Sequence, residues 1–145
     1  MTALPFAIRE CRESDLPLVL NSWLRSYRNE DAVRTVTNEI YYSEVVGQKA
    51  RILDLMAHGR TVVACDLDDA DSVFGWACSS IAHPGVSVPP VMHYVYVKQA
   101  YRGNGLGRAL LGALGVGKAP VWATHETRAV RALGGYCYVP QWRPM

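Results

Sequence analysis

The sequence lacks the marks of several common protein classes, beginning with paired cysteines. Its 145 residues include four cysteines, at positions 11, 65, 78 and 137, and none of them stands in a CxxC pair. Three of the four lie inside apolar, strand-like stretches, where a cysteine behaves as a small hydrophobic residue. We therefore interpret them as reduced thiols of a cytosolic protein, and we predict no metal site.

The sequence also lacks a large excess of one charge sign and long apolar runs. The formal net charge is +2 and there is no basic run, so a nucleic-acid-binding domain has little support. The uncharged stretches are too short to span a bilayer, and the start, MTALPFAIRE, does not have the pattern of a secretory signal. Since repeats and linkers are lacking too, we expect residues 1–145 to form one cytoplasmic domain.

What is present is a clear periodicity of apolar residues, which predicts six strands and four helices. The strands are expected at residues 6–11, 61–67, 72–82, 91–99, 120–124 and 136–142. The helices are expected at 15–27 with Ser14 as N-cap, at 40–56, from the glycine-rich stretch to about residue 114, and at 126–133. Because the strands come first as a run and then alternate with helices, we predict an α/β (α+β) fold with a mixed sheet and helices on both faces.

The most informative stretch is YRGNGLGRALL, residues 101–111, which follows a strand and opens a helix. The first amides of a helix are unpaired and the helix dipole is positive there, so the site suits an anion such as phosphate. Gly103, Gly105 and Gly107 would let a ligand approach the backbone, and Arg102 and Arg108 add positive charge. The alternative is a tight turn without a ligand, but the pattern of three alternating glycines favours the anion site.

Two common phosphate motifs do not fit this chain. The segment GALGVGKA, residues 112–119, comes near a nucleotide P-loop, but Ala119 replaces the required hydroxyl and the segment ends a helix instead of starting one. A dinucleotide fingerprint also fails, because its third glycine would fall on Arg108 or Leu110. The pattern that does fit is R-x-x-G-x-G, from Arg102 to Gly107.

With this pattern, the segment VYVKQAYRGNGLGRALL resembles the acetyl-CoA-binding segment of the GCN5-related N-acetyltransferase (GNAT) family. The order of strands and helices along nearly the whole chain is similar to that family as well. The resemblance implies a single-domain, mostly antiparallel mixed sheet with a V-shaped cleft between the fourth and fifth strands. It also implies an acetyl-CoA-dependent N-acetyltransferase that acts on an amine of a small molecule or a protein, as a monomer or homodimer.

The resemblance assigns the acetyl-CoA site residue by residue. The pantetheine arm would pair with the fourth strand like an extra strand, and the pyrophosphate would rest on backbone amides of the glycine turn. The implied cofactor-binding residues are Val95, Tyr96, Val97, Arg102, Gly103, Asn104, Gly105, Leu106, Gly107, Arg108 and Thr124.

The resemblance also implies a catalytic base, and at one position the sequence differs from the family pattern. The pattern H-x-V-x-V, from His93 to Val97, resembles the arylalkylamine N-acetyltransferases, in which a histidine at this place takes part in proton removal. A half-buried strand histidine with a satisfied hydrogen bond is the alternative. Arg131 stands where many members carry a tyrosine acid, and a guanidinium cannot give a proton to a thiolate. Because of this difference at position 131, a second hypothesis stays open: a GNAT-fold binding or structural module with weak or no catalysis.

The acceptor amine is expected near the loop after the first helix and along the second helix. Acidic and aromatic side chains there, Tyr27, Glu30, Tyr41 and Tyr42, would suit a cationic amine. The same side chains would also be compatible with a simple solvated surface. The sequence does not identify the acceptor.

Overall fold

The computed structural model describes residues 4–80, 89–116, 121–132 and 135–144. Within these ranges six strands form one sheet, in the order β1 to β6 along its width. The strands are β1 (Phe6–Glu10), β2 (Arg60–Asp66), β3 (Val73–Ser80), β4 (Val91–Val97), β5 (Val121–Ala123) and β6 (Tyr136–Tyr138). The first four pair antiparallel, whereas β4–β5 and β5–β6 pair parallel. The predicted fold class, a mixed sheet that is mostly antiparallel, is confirmed.

Helices cover both faces of this sheet, as predicted. The helices are α1 (Leu16–Tyr27), α2 (Asn38–Tyr41), α3 (Gln48–His58), α4 (Leu106–Ala113) and α5 (Arg128–Arg131). On one face α1 and α3 bury a cluster that includes Val19, Trp23 and Leu55, and on the other face α4 buries Leu106 and Leu110. Every residue of β3 is buried because helices cover this central strand on both sides. None of the helices in the described ranges is long and apolar enough to cross a membrane.

The predicted second helix, 40–56, is wrong as a single element. The structure divides it into α2 and α3, because the Ser43 hydroxyl accepts hydrogen bonds from the amides of Val45 and Val46, at 3.1 and 3.2 Å. A serine that binds nearby amides in this way competes with the helical pattern. Gly47 then packs so closely on α2 that a Cβ there would stand 1.7 Å from the Ile40 carbonyl oxygen.

The predicted N-cap of the first helix is also corrected. Ser14 lies within a short 3-10 turn, Glu13–Asp15, and α1 begins after it at Leu16. The Asp15 carboxylate accepts hydrogen bonds from the Arg9 guanidinium and the Arg12 amide, both at 2.7 Å. These charged contacts fix the start of the helix and hold the pKa of Asp15 below its ordinary value, chiefly through the Arg9 hydrogen bond.

The last two strands and the last helix are shorter than predicted. The strand predicted at 136–142 ends at Tyr138, before Pro140, and β6 lies at the edge of the sheet, where Cys137 is exposed. Cys65 and Cys78 are buried as free thiols, and Cys11 is half-buried. The predicted positions 81, 82, 120 and 133 lie outside the described residues.

Candidate active site

A cleft opens beside β4 because its neighbour β5 is only three residues long. The register pairs β5 with Val91 and Met92 of β4, and the Thr124 amide still reaches the Met92 carbonyl oxygen at 3.1 Å. Beyond this point β4 continues to Val97, whereas the chain after β5 turns away toward α5. The predicted V-shaped cleft between the fourth and fifth strands is therefore present.

The open side of β4 presents backbone hydrogen-bonding groups to this cleft. The amide of Lys98 donates to the Phe74 carbonyl of β3, so the alternation of a strand turns the amides of Val97 and Val95 the opposite way. The Val97 carbonyl faces the same side, where it accepts a hydrogen bond of 2.9 Å from Nε of Arg102. An extended ligand chain can therefore pair with Val95 as an added strand would.

The glycine turn at the end of the cleft has the conformation that its sequence requires. Gly103 and Gly105 have φ values of 84° and 79°, the left-handed region in which a side chain is strained. A Cβ built on Gly103, Gly105 or Gly107 meets no described atom within 4 Å, so the space over the turn is open. This open space is where a phosphate group would approach the backbone.

The turn also presents unused amide donors. Within the described part of the chain, the amides of residues 103–108 donate to no backbone oxygen, and the first helical bond runs from Ala109 to Gly105. Side-chain contacts anchor the turn from outside: Asn104 Nδ2 donates to the Tyr101 carbonyl at 2.9 Å, and the Tyr101 ring stacks on Phe74 with centroids 4.1 Å apart. A rigid turn with free amides at the start of α4 fits a pyrophosphate.

The cleft has a volume of about 540 Å³ and is closed on its far side by the end of α1 and by α5. Its lining joins the sequence-predicted cofactor residues to several others: Val95, Tyr96, Val97, Arg102 and Gly107 with Ser26, Glu30, Tyr94, Thr127 and Arg128. Glu30 supplies the one carboxylate among the described residues that line it. One of its oxygens lies 3.9 Å from a guanidinium nitrogen of Arg131, so the two side chains link the turn after α1 to α5.

A pair of hydroxyl groups forms part of the same wall. The Tyr94 hydroxyl and Ser26 Oγ are hydrogen-bonded at 2.8 Å, and both residues line the cleft. Burial raises the pKa of Tyr94 to about 12, and the hydrogen bond from Ser26 opposes this in part. The tyrosine therefore keeps its proton across the working range of an enzyme.

His93 lies at an irregularity of β4, inside the protein. Residues 92 and 94 pair with consecutive residues of β3, which leaves His93 as the extra residue of a β-bulge. Its side chain is fully buried, with Nε2 at 2.8 Å from Ser80 Oγ and Nδ1 at 2.9 Å from Thr124 Oγ1. Burial, and secondarily the charge of Arg51, lower the pKa of His93 to about 3.

A chain of buried polar groups continues from His93 toward α3. Thr124 Oγ1 is also 2.9 Å from Nδ1 of His125, whose Nε2 lies 3.3 Å from Oε1 of Gln48. The Thr124 hydroxyl therefore points to the two histidines, and Thr124 is not among the residues that line the cleft. Its predicted contact with the pantetheine stays a prediction, as does the predicted role of His93 as the base.

The predicted acceptor residues separate into different places. Glu30 lines the cleft, whereas Tyr27 packs in the core with 2% of its surface exposed. Tyr41 is fully buried and donates a hydrogen bond of 2.6 Å from its hydroxyl to the Leu24 carbonyl, and Tyr42 is exposed beside it. Sequence reasoning did not propose Ser26 or Tyr94, although Tyr94 directly precedes the strand residues assigned to the pantetheine.

Comparison with protein families identifies this arrangement. The family described as Acetyltransferase (GNAT) family matches residues 18–119, which span β2 to β4, the glycine turn and α4. The chain belongs to the GNAT acetyltransferase family. The resemblance inferred from the glycine turn is thus confirmed. The comparison with curated proteins gives no match.

Solved structures agree on the fold of this GNAT chain. A histone acetyltransferase HPA2 and related acetyltransferase from Corynebacterium glutamicum superposes with a TM-score of 0.60 and 17% identity, covering 90% of this chain and 82% of that one. A protein described as a possible acetyltransferase from Clostridium difficile 630 gives a TM-score of 0.59 and 17% identity, covering 97% of both chains. A GCN5-related N-acetyltransferase from Rhodopseudomonas palustris gives a TM-score of 0.50 and 18% identity over 79% of this chain. This GNAT chain covers 66% of that protein, slightly less than two thirds.

At this level of identity the structures show the fold, and the family shows acetyl transfer in general. GNAT enzymes generally use acetyl-CoA and an amine acceptor. Among the described residues of this GNAT domain, no three His, Cys, Asp or Glu side chains come together as they would around a metal ion.

Proposed function

We propose that the protein is an acetyl-CoA-dependent N-acetyltransferase acting on an amine of a small molecule or a protein in the cytoplasm. The observation that carries the proposal is the continuity of the open edge of β4 with the free amides of the glycine turn in one cleft. A tight turn without a ligand would explain the two glycines with positive φ, but it would not require the open space above them or the free amides that face it.

The residues fit coenzyme A in size and polarity. The backbone of Val95 and Val97 would pair with the amide-containing pantetheine arm, and the amides of residues 103–108 would hold the pyrophosphate. Arg102 lines the cleft near both and adds a positive charge. Bound acetyl-CoA supplies an activated acetyl thioester, which an amine can attack.

Two groups in the cleft can handle the protons of the transfer. As the new C–N bond forms and the C–S bond breaks, the amine loses a proton and the leaving sulfur gains one. We assign the first proton to the Glu30 carboxylate and the second to the Tyr94 hydroxyl, because both line the cleft. His93, the residue predicted from sequence, remains a competing base, although its burial and its pKa of about 3 make it a weak one.

The second candidate function is a binding module without catalysis. The observation in its favour is Arg131, which occupies the family's usual tyrosine position and contacts Glu30 instead of presenting an acidic proton. A module of this kind would bind acetyl-CoA in the same cleft and would release no thiol with any acceptor.

A melting experiment tests the cofactor part of the proposal. Acetyl-CoA at about 100 times its Kd is expected to stabilise the fold by about 2.7 kcal/mol, since it binds only the folded chain. The measurement is the melting temperature with and without acetyl-CoA, with equimolar adenosine as a control that lacks the pyrophosphate and pantetheine. An unchanged melting temperature, with calorimetry showing no heat of binding, would refute the proposal.

Substitution of Arg131 distinguishes the enzyme from the module. Arg131→Ala is expected to lower turnover several-fold, because Glu30 loses the charge that holds it across the cleft, with little loss of stability since exposed ion pairs contribute about 0–1 kcal/mol. Arg131→Tyr removes the same charge but adds a hydroxyl at the family's usual acid position, so its turnover should equal or exceed that of Arg131→Ala. The readout is acetyl-CoA-dependent thiol release with one amine, and Arg25→Ala on the exposed side of α1 is the matched control. Thiol release from none of these chains, with acetyl-CoA binding confirmed, would favour the module.

A further inference from the structure

A second pocket, separate from the cleft, lies between α2, the start of α3 and the segment after β6. It has a volume of about 320 Å³. Its polar lining consists of two arginines and two glutamines, Arg51, Arg143, Gln48 and Gln141. Within the ranges that the structure describes, this lining therefore carries two positive charges and no negative one.

Among the described residues, neither Arg51 nor Arg143 forms a salt bridge with an acidic side chain. Within the described ranges, two nearby acidic side chains are paired with other residues, Glu44 with Lys49 at 2.7 Å and Asp54 with His58 at 3.2 Å, and the side chain of Glu39 on α2 is exposed. Residues 127–144, which include the final segment, contain no aspartate or glutamate. Two like charges in one pocket repel each other, so an arrangement of this kind costs stability unless an anion joins it.

Arg51 is held in place for contact with a ligand. Its Nη2 atom donates to the Pro140 carbonyl at 2.9 Å, which fixes the half-buried guanidinium between α3 and the final segment. Burial, followed by the charge of Arg143, lowers the pKa of Arg51. Its other guanidinium nitrogens have no hydrogen-bond partner in the part of the chain that the structure describes, and a fixed, planar guanidinium suits the paired oxygens of a carboxylate or phosphate.

The rest of the pocket is apolar and partly open to solvent. Val33, Ile40 and Val46 line it, and Ile40 and Val46 are 52% and 76% exposed. The adjacent Val45 is 85% exposed. Exposed valines around a charged pocket are expected to contact an apolar part of whatever the arginines bind.

We propose that this pocket binds an organic anion, a carboxylate or phosphate joined to a compact apolar group. The anion is held by Arg51 and Arg143, and the apolar group rests on the valines and Ile40. The site does not depend on acetyl transfer. Its relation to the reaction, as a subsite for an acidic acceptor or as a separate ligand site, rests on the proposed function.

Hexanoate is a simple probe, because it joins a carboxylate to a short apolar chain. A titration followed by amide NMR shifts is expected to show saturable binding that moves the signals of Gly47 and Gln48. Acetate and 1-hexanol, each with half of the probe's chemistry, should bind at least about tenfold more weakly. Hexanoate that shifts only residues of the glycine turn, or that never saturates, would overturn the proposal.

Variants locate the site. Arg143→Gln changes an exposed residue and should weaken hexanoate binding about tenfold, the loss expected when a charge-assisted hydrogen bond is removed. Arg51→Gln should weaken it further, and Arg25→Gln on α1 should have no effect. If Arg102→Gln abolished binding while Arg143→Gln did not, the anion would be bound at the glycine turn and the pocket proposal would be wrong.

An acceptor pair shows which anion uses the pocket. 6-Aminohexanoate and pentylamine share a five-carbon chain and differ by the carboxylate, and the chain separates the carboxylate from the amine. If the acceptor provides the anion, 6-aminohexanoate should have the lower KM, and Arg143→Gln should remove that advantage with kcat unchanged. Equal KM values with saturable hexanoate binding would support a separate ligand site. Hexanoate binding without acetyl-CoA binding would refute the proposed function and still support the pocket.

Discussion

Replacing Gly107 by valine is expected to abolish acetyl-CoA binding while the fold stays intact. Gly107 is the second residue of α4, its φ is not positive, and a Cβ there meets no described atom within 4 Å. The new side chain therefore costs the protein no contact or strain, but it fills space that the pyrophosphate needs. Calorimetry should show acetyl-CoA binding weakened by at least about 100-fold, or about 2.7 kcal/mol.

Gly112→Val is the matched control. It makes the same substitution in the same helix, and its Cβ also meets nothing within 4 Å, but it lies one and a half turns farther along α4 and outside the cleft lining. Acetyl-CoA should bind this variant as it binds the parent. If Gly107→Val bound acetyl-CoA as tightly as Gly112→Val, the glycine turn would not be the pyrophosphate site.

Gly105→Val tests the same site, but its result would also include an effect on the folded chain. With φ at 79° at Gly105, a β-branched residue is strained by about 1–3 kcal/mol whether or not a ligand is present. Loss of binding in this variant would therefore combine obstruction with a disturbed turn. A lowered melting temperature of the free chain is expected for Gly105→Val and not for Gly107→Val, and circular dichroism with melting measures the difference.

The glycine turn was predictable from sequence because its determinants are local. The positive φ values, the free amides and the start of α4 all arise within six consecutive residues, so a short pattern encodes them. The cleft also followed from sequence, since the family resemblance placed it between the fourth and fifth strands. The break between α2 and α3 was missed because the Ser43 hydroxyl outcompetes an apolar pattern that suits one helix equally well.

The proton-handling groups were harder to predict because they depend on distant contacts. The Ser26–Tyr94 hydrogen bond joins residues 68 positions apart, and the contact of Glu30 with Arg131 joins the turn after α1 to α5. A histidine on a strand gives no sign of its burial. His93 is enclosed by residues distant in sequence: Thr124, directly after β5, contacts its ring, and Trp142 packs against it with ring centroids 5.4 Å apart.

The second large effect is expected at Glu30. Glu30→Gln should lower kcat by about 10²–10⁴-fold, the usual contribution of a general base, and should leave the acetyl-CoA Kd unchanged. Glutamine keeps the size of the side chain and can still accept a hydrogen bond from Arg131, but it cannot take a proton from the amine. The measurement is the rate of thiol release at saturating acetyl-CoA, with the best acceptor from an amine panel.

His93 provides the opposing hypothesis, and the pH profile separates the two. An aromatic amine acceptor is uncharged at neutral pH, so the groups of the enzyme alone set the profile. If His93 were a base with an ordinary histidine pKa, kcat would rise with pH through about 6.5. Since the pKa of His93 is about 3, we expect His93 to cause no rise of kcat near pH 6.5.

The stability of the His93→Ala variant tests whether His93 has a structural role. His93→Ala should lower the melting temperature, because it leaves Ser80 Oγ without its buried partner, at a cost of about 1–3 kcal/mol, and leaves Thr124 Oγ1 with His125 alone. At temperatures where the variant is folded, its kcat should stay within about tenfold of the parent value, well short of a base's full contribution. The opposite result would be a loss of kcat of about 10²–10⁴-fold in His93→Ala, loss of the rise of kcat near pH 6.5, and parental turnover in Glu30→Gln. In that case His93 would be the base, and the role of Glu30 would be its contact with Arg131.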